Sequence, residues 1–210
     1  MRKPNKLFVE GINDMHVVLA LCNYYHVPEN FDIIPCDNID QVFYHLKLAL
    51  MDPVKNPIIG VIVDADQSIE NRFKTFQSYM SQTNYYDMGT LNLKESGLIM
   101  FPKEKGNPVV GAWFMPDNKL NGMLEDFVMS FEGTDNTLMK EADSVLNTIE
   151  QKGIQKYKDI HRSKAKVHTY LAWQEVPGMP MGQAITAHVL NPNSSKAKIF
   201  VDWLSNLFHE

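Results

Sequence analysis

From Pro57 to Val63 the chain reads PIIGVIV, a run without a single polar side chain. A strand with one wet face alternates polar and apolar residues. One without alternation is covered on both faces, as the strands of parallel sheets are by their crossover helices. The flanking sequence repeats the theme. KLFVEG (6–11) reads as a strand, and NDMHVVLALCNYY (13–25) as a helix with Asn13 or Asp14 at its N-cap. FDIIPCDN (31–38) is a second strand, broken by Pro35. IDQVFYHLKLALM (39–51) has helical spacing through Ile39, Val42, Phe43, Leu46 and Leu50. After PIIGVIVDAD, Ser68 caps a helix over IENRFKTFQSYMSQ (69–82). Three successive β–α units imply right-handed crossovers and a parallel sheet, hence an α/β fold with helices flanking the sheet.

Downstream, GLIMFPKEKGNPVVGAWFMPDN (97–118) reads as two strands around a Lys/Gly/Asn/Pro turn, the second being the better core strand. NGMLEDFVMSFE (121–132) opens a helix. From about Asn136 the pattern is mainly helical, with one Pro/Gly loop, VPGMPMGQ. The organisation expected is an α/β domain over 1–135 and a helical C-terminal extension over 136–210 packed on it as one unit. With 44% hydrophobic and 21% charged residues among 210, the chain can bury a sizeable core. It shows neither a membrane-length apolar run nor a secretory signal pattern. Two cysteines, Cys22 and Cys36, cannot make a four-cysteine zinc site, and free thiols in a cytoplasmic setting are the expectation. A net charge of −5 argues against coating nucleic acid by bulk charge. The charge is nevertheless uneven: seven acids against two lysines from Asp117 to Asp143, then six bases against Asp159 from Lys152 to Lys166.

The strand ends carry the chemistry. Asp64 and Asp66 close the third strand, and in an extended backbone they share a face, roughly 6.5 Å apart. Glu10 closes the first strand, with Asp14 a helical turn beyond it. Asp117 follows the GAWFM strand, and Glu125 and Asp126 start the next helix. Strand C-termini line the ligand crevice of open α/β sheets. Carboxylates crowded there repel unless a proton or a cation intervenes, and an all-oxygen set favours Mg²⁺ or Mn²⁺ over zinc. Taken singly, each acid is explained as a cap or turn residue; their convergence points to a metal site.

LFVEGINDMHVV and VIVDAD resemble the two signatures of Toprim domains, the fold of topoisomerases, bacterial primases, small RNA-maturing nucleases and overcoming-lysogenization-defect nucleases. GAWFMPDNKLNGMLEDF, HTYLAWQEVPGMPMGQAI and FVDWLSNLF are similar to a family of small stand-alone Toprim-like proteins of unknown function, so the resemblance spans nearly the whole chain. It implies a Toprim-like Rossmannoid sheet, Glu10 as general acid or base, and Asp64 and Asp66 as ligands of a divalent metal. Glu125 and Asp126 stand where the two-metal nucleases often have additional acids, with Asp14 and Asp117 as further candidates. A topoisomerase would need a strand-passage body with its tyrosine, and the primase and ring-forming recombination mediator need cysteine zinc sites. The expected function is therefore a Mg²⁺- or Mn²⁺-dependent nuclease or related phosphotransfer enzyme acting on DNA or RNA.

Two alternatives are distinct. A non-catalytic Toprim-like interaction or regulatory module would keep the fold and bind metal loosely or not at all. VIVDADQS also resembles the opening motif of haloacid-dehalogenase-type phosphatases, with Asp64 as nucleophile and Asp66 as acid/base; two β–α units precede it here, however, and Glu10 would be left without a role. Lys164, Lys166 and His168, with His161 seven residues before His168, are candidate phosphate contacts, against the ordinary reading as a solvated helix. Trp113, Trp173 and Trp203 sit in apolar runs and read as core. Oligomeric state and protein partners stay open.

Overall fold

The computed structural model describes residues 3–53, 55, 57–89 and 91–209; Met1, Arg2 and Glu210, at the ends of the expected spans, lie outside them. Five strands, β1 (Asn5–Val9), β2 (Phe31–Pro35), β3 (Ile58–Asp64), β4 (Leu98–Met100) and β5 (Val109–Met115), form one sheet in the order β2-β1-β3-β5-β4. The first four in that order are mutually parallel, and β4 pairs antiparallel with β5. Pro35 sits in the edge strand β2, where a missing N–H disrupts no inner ladder. The helices are α1 (Ile12–Tyr25), α2 (Ile39–Leu50), α3 (Ile69–Ser81), α4 (Leu124–Met129), α5 (Thr137–Gln151), α6 (Arg162–Ala172), α7 (Met181–Thr186) and α8 (Ser195–Leu207).

The unalternating apolar strands are buried on both faces, and successive residues belong to different cores. Leu7, Val9, Ile62, Trp113 and Met115 join residues of α1 and α4 through α8. Phe8, Val61, Val63, Ala112 and Phe114 join residues of α2 and α3 on the other face. The region after Asn136 thus shares its core with the first strand and helix. Along the middle of the sheet, Gly60 and Gly111 face each other across β3 and β5. Both lie beneath the end of α8: a Cβ on Gly111 would stand 2.4 Å from Leu207 Cδ2, and one on Gly60 would stand 3.1 Å from it. The missing side chains let α8 lie directly on the backbone of the central strands.

Local signals act largely as read. Ser68 Oγ accepts the Asn71 N–H (3.2 Å) and caps α3. At α1 the structure differs. Gly11 is the N-cap, and Asp14, in the first turn, turns its carboxylate back to accept the Gly11 N–H (3.0 Å). The tryptophan reading also needs correction. Trp113 and Trp203 are core, but Trp173, the C-cap residue of α6, is 41% exposed. Cys22 and Cys36 are free, buried thiols, with burial raising their pKa values to about 12 and about 11. Among the described residues no helix is long and apolar enough to cross a membrane.

Candidate functional site

Parallel pairing of β1 with β3 puts Val9 opposite Ile62, so the chain leaving β1 at Glu10 emerges beside the end of β3. Glu10 Oε1 accepts the Asp64 N–H at 2.7 Å, which locks the two strand ends together. Asp64 Oδ1 accepts the Leu124 N–H (2.9 Å), the first residue of α4, and this seats α4 over the same edge. Asp14 approaches from α1 and Glu125 from α4; both are almost completely buried. Glu10, Asp14, Asp64 and Glu125 therefore converge from the ends of β1 and β3 and the first turns of α1 and α4, although they are spread over more than half the chain.

Their electrostatics follow from burial and crowding. Burial, then Glu10, Asp14, Glu125 and Asp66, pushes the Asp64 carboxyl up to about 9. Asp14 is pushed up to about 7 by burial and then by Glu10. Burial also raises Glu10, opposed by the Asp64 N–H and by Arg72. A carboxyl that holds its proton more tightly in the native than in the unfolded chain stabilises the fold at low pH, and that contribution is lost as pH rises towards the native pKa. Unfolded carboxyls release protons near pH 4, to within about a unit. Ion-paired acids elsewhere, such as Asp143, with its carboxyl lowered by Arg162 and Lys166, act below this window. In EDTA, thermal stability should accordingly fall as pH climbs from about 5 to 9, and Asp64→Asn should flatten the fall. Melting curves across that range test the coupling, and a wild-type profile that rises with pH contradicts it.

Asp66 departs from the expected geometry. The strand ends at Asp64, and Asp66 takes a left-handed backbone (φ 51°), forming an antiparallel bridge with Gly122. It does not continue an extended face with Asp64. Its Oδ2 is held by Arg72 Nη2, while Arg72 Nε donates to the Asp64 carbonyl oxygen at 2.8 Å. Arg72 was absent from the residues read as functional. One signal was available: a cation in the first turns of a helix opposes the macrodipole unless an acid meets it.

The other expected residues separate. Asp126 has both oxygens engaged away from the cluster, accepting the Met123 N–H (2.9 Å) and the Ser163 hydroxyl of α6 (2.5 Å). Asp117 turns to α8, where Lys196 Nζ lies 3.1 Å from Oδ2 and the Lys119 and Leu120 N–H groups meet Oδ1. Burial raises its pKa, but the Leu120 N–H, Lys196 and the Lys119 N–H outweigh this and hold it low. Lys164 alone of the basic candidates reaches the cluster, its Nζ 3.5 Å from the buried Glu125. Lys166 pairs with Asp143 on α5, and His161 and His168 are exposed.

The donor set is wholly carboxylate, which suits a hard, oxygen-preferring cation. Glu10, Asp14 and Asp64 each engage a carboxylate oxygen with a backbone N–H. Among the described residues, however, no three His, Cys, Asp or Glu side chains are grouped so as to hold a metal ion. The donors fit in type, but they are not gathered into a ready coordination group. No curated protein and no solved structure matches the chain. The sequence profile of one family, described as a protein of unknown function (DUF3226), matches residues 4–209, and the chain belongs to that family.

Proposed function

We propose that this carboxylate cluster binds Mg²⁺ or Mn²⁺ and hydrolyses phosphodiester bonds of nucleic acid. The observation that carries the reading is the gathering of Glu10, Asp14, Asp64 and Glu125 at the C-terminal edge of a parallel sheet, with Lys164 the cation nearest Glu125. It accords with the Toprim resemblance of the first and third strand ends. A divalent ion bound there would lower the pKa of a water and offset charge on the phosphoryl group. Asp14, Asp64 and Glu125 would supply the oxygens to hold it. Glu10, with its pKa raised by burial, is suited to take the proton of the attacking oxygen. Lys164, half-exposed and loosely paired, can move from Glu125 to a phosphate oxygen, and the Ser163–Asp126 bond fixes the start of α6 that carries it.

Thermal unfolding with and without millimolar Mg²⁺ or Mn²⁺ tests the first step. At a hundredfold excess over its dissociation constant, a ligand specific for the native state adds about 2.7 kcal/mol, or roughly 5–10 °C for a chain of this size. The wild type should show that rise, and a Glu10→Gln, Asp64→Asn variant should not. A second reading, a non-catalytic module on the same fold, draws on Arg72 occupying Asp66. That module would show neither the metal shift nor cleavage of DNA or RNA.

A further inference from the structure

The turn that leaves β3 is tied down from three sides. Asp66 exchanges backbone hydrogen bonds with Gly122: its N–H donates to the Gly122 carbonyl (2.8 Å), and its own carbonyl accepts the Gly122 N–H (2.9 Å). Beside that glycine, Asn121 accepts the Ile69 N–H through Oδ1 (2.9 Å) and donates from Nδ2 to the Gln67 carbonyl (2.8 Å). The segments that follow β3 and β5 are thereby held against each other.

Arg72, early in α3, closes the third side. Its Nε donates to the Asp64 carbonyl (2.8 Å) and its Nη2 to the Asp66 carboxylate. The two nitrogens belong to one rigid plane, so anchoring one at Asp66 aims the other at the Asp64 backbone. Asp64 is thus fixed through both of its peptide groups, the N–H by Glu10 and the carbonyl by Arg72. A backbone held on both sides sets the direction of the carboxylate that meets Leu124 and the other acids.

We propose that Arg72 is a positioning residue for the carboxylate cluster, and that Asp66 serves as its anchor and not as a metal ligand. The inference rests on the reading that this cluster binds a divalent cation. Of the two aspartates that follow PIIGVIV, only Asp64 then offers its charge to the ion. The charge of Asp66 is met by the guanidinium, which leaves it a weaker lure for a second cation. Groups that orient a ligand from behind typically matter about 10–100-fold in metal affinity.

Mn²⁺ alone is the probe, titrated into the full chain well below its melting temperature, with the free ion followed by electron paramagnetic resonance. Asp64→Asn should lose binding. Asp66→Asn keeps an acceptor for Nη2 and should bind within about threefold of the wild type. Asp66→Ala and Arg72→Gln should each weaken binding about 10–100-fold, and together no more than either alone, because both remove the same contact. An Asp66→Asn loss as deep as that of Asp64→Asn would make Asp66 a ligand and overturn the proposal. So would an Arg72→Gln variant that melts lower yet binds Mn²⁺ as well as the wild type, or better, since that residue then only supports the fold. Either result leaves the metal-site reading standing, whereas a wild type that takes up no Mn²⁺ removes both.

Discussion

Asp64→Asn is expected to fold as the wild type does and to lose the proposed metal-dependent phosphodiester cleavage by on the order of 10²–10³-fold or more. The substitution preserves shape. The amide oxygen can still accept the Leu124 N–H that seats α4, so the architecture of the sheet edge is retained. It removes one of four mutually repelling carboxylates, and with it an anionic oxygen from the donor set. The matched control is Asp117→Asn. Asp117 lies beyond the end of β5, yet its side chain belongs to an ion-pair group with Lys196 of α8 and Glu95, which precedes β4. Its variant should cleave near the wild-type rate. Both can be assayed on a chromogenic phosphodiester and on mixed DNA and RNA oligonucleotides with Mn²⁺. Equal rates for Asp64→Asn and wild type would remove the proposed chemistry from this edge of the sheet.

Gly97→Ala should be the most damaging single methyl addition in the chain. Gly97 has φ +80°, a region costly for any residue with a Cβ, and an added Cβ would fall 2.2 Å from Trp203 Cδ1. That ring cannot retreat: it is buried, and its indole N–H donates to the Leu98 carbonyl at 3.0 Å. Backbone cost and overpacking together come to about 3–5 kcal/mol, roughly 6–20 °C in melting temperature. Gly106 offers the comparison, since it also has positive φ (+98°) but meets nothing within 4 Å. Gly106→Ala should cost only the backbone share, about 1 kcal/mol. Melting the two variants side by side isolates the Trp203 contact, and equal losses would show that the contact yields.

Much of the fold was legible because its signals are local and repeated. PIIGVIV, with no polar position, demanded two covered faces, and the structure supplies them with α2 and α3 on one side and α1 and α8 on the other. The site was legible in part. Glu10, Asp14, Asp64 and Glu125 come together because parallel strands of one sheet end at one edge, a consequence of topology that the β–α order already contains. Strand alternation failed at Asp66, where it was extended two residues past the point at which the ladder stops and the backbone turns left-handed. Asp117 and Asp126 look equivalent to the others along the chain. What separates them is tertiary: Lys196 arrives from 79 residues away and Ser163 from 37. Trp173 was misplaced for a related reason, since an apolar neighbourhood in sequence does not guarantee a neighbour in space at a helix end.

The position of α8 on the two facing glycines bears on how the chain is made. A ribosome delivers the central strands β3 and β5 long before Leu207, and until then the backbone at Gly60 and Gly111 lacks the cover of α8. Until α8 has been added, the larger core on that side of the sheet stays open, and the growing chain presents a sticky, half-finished surface of the kind that chaperones shield.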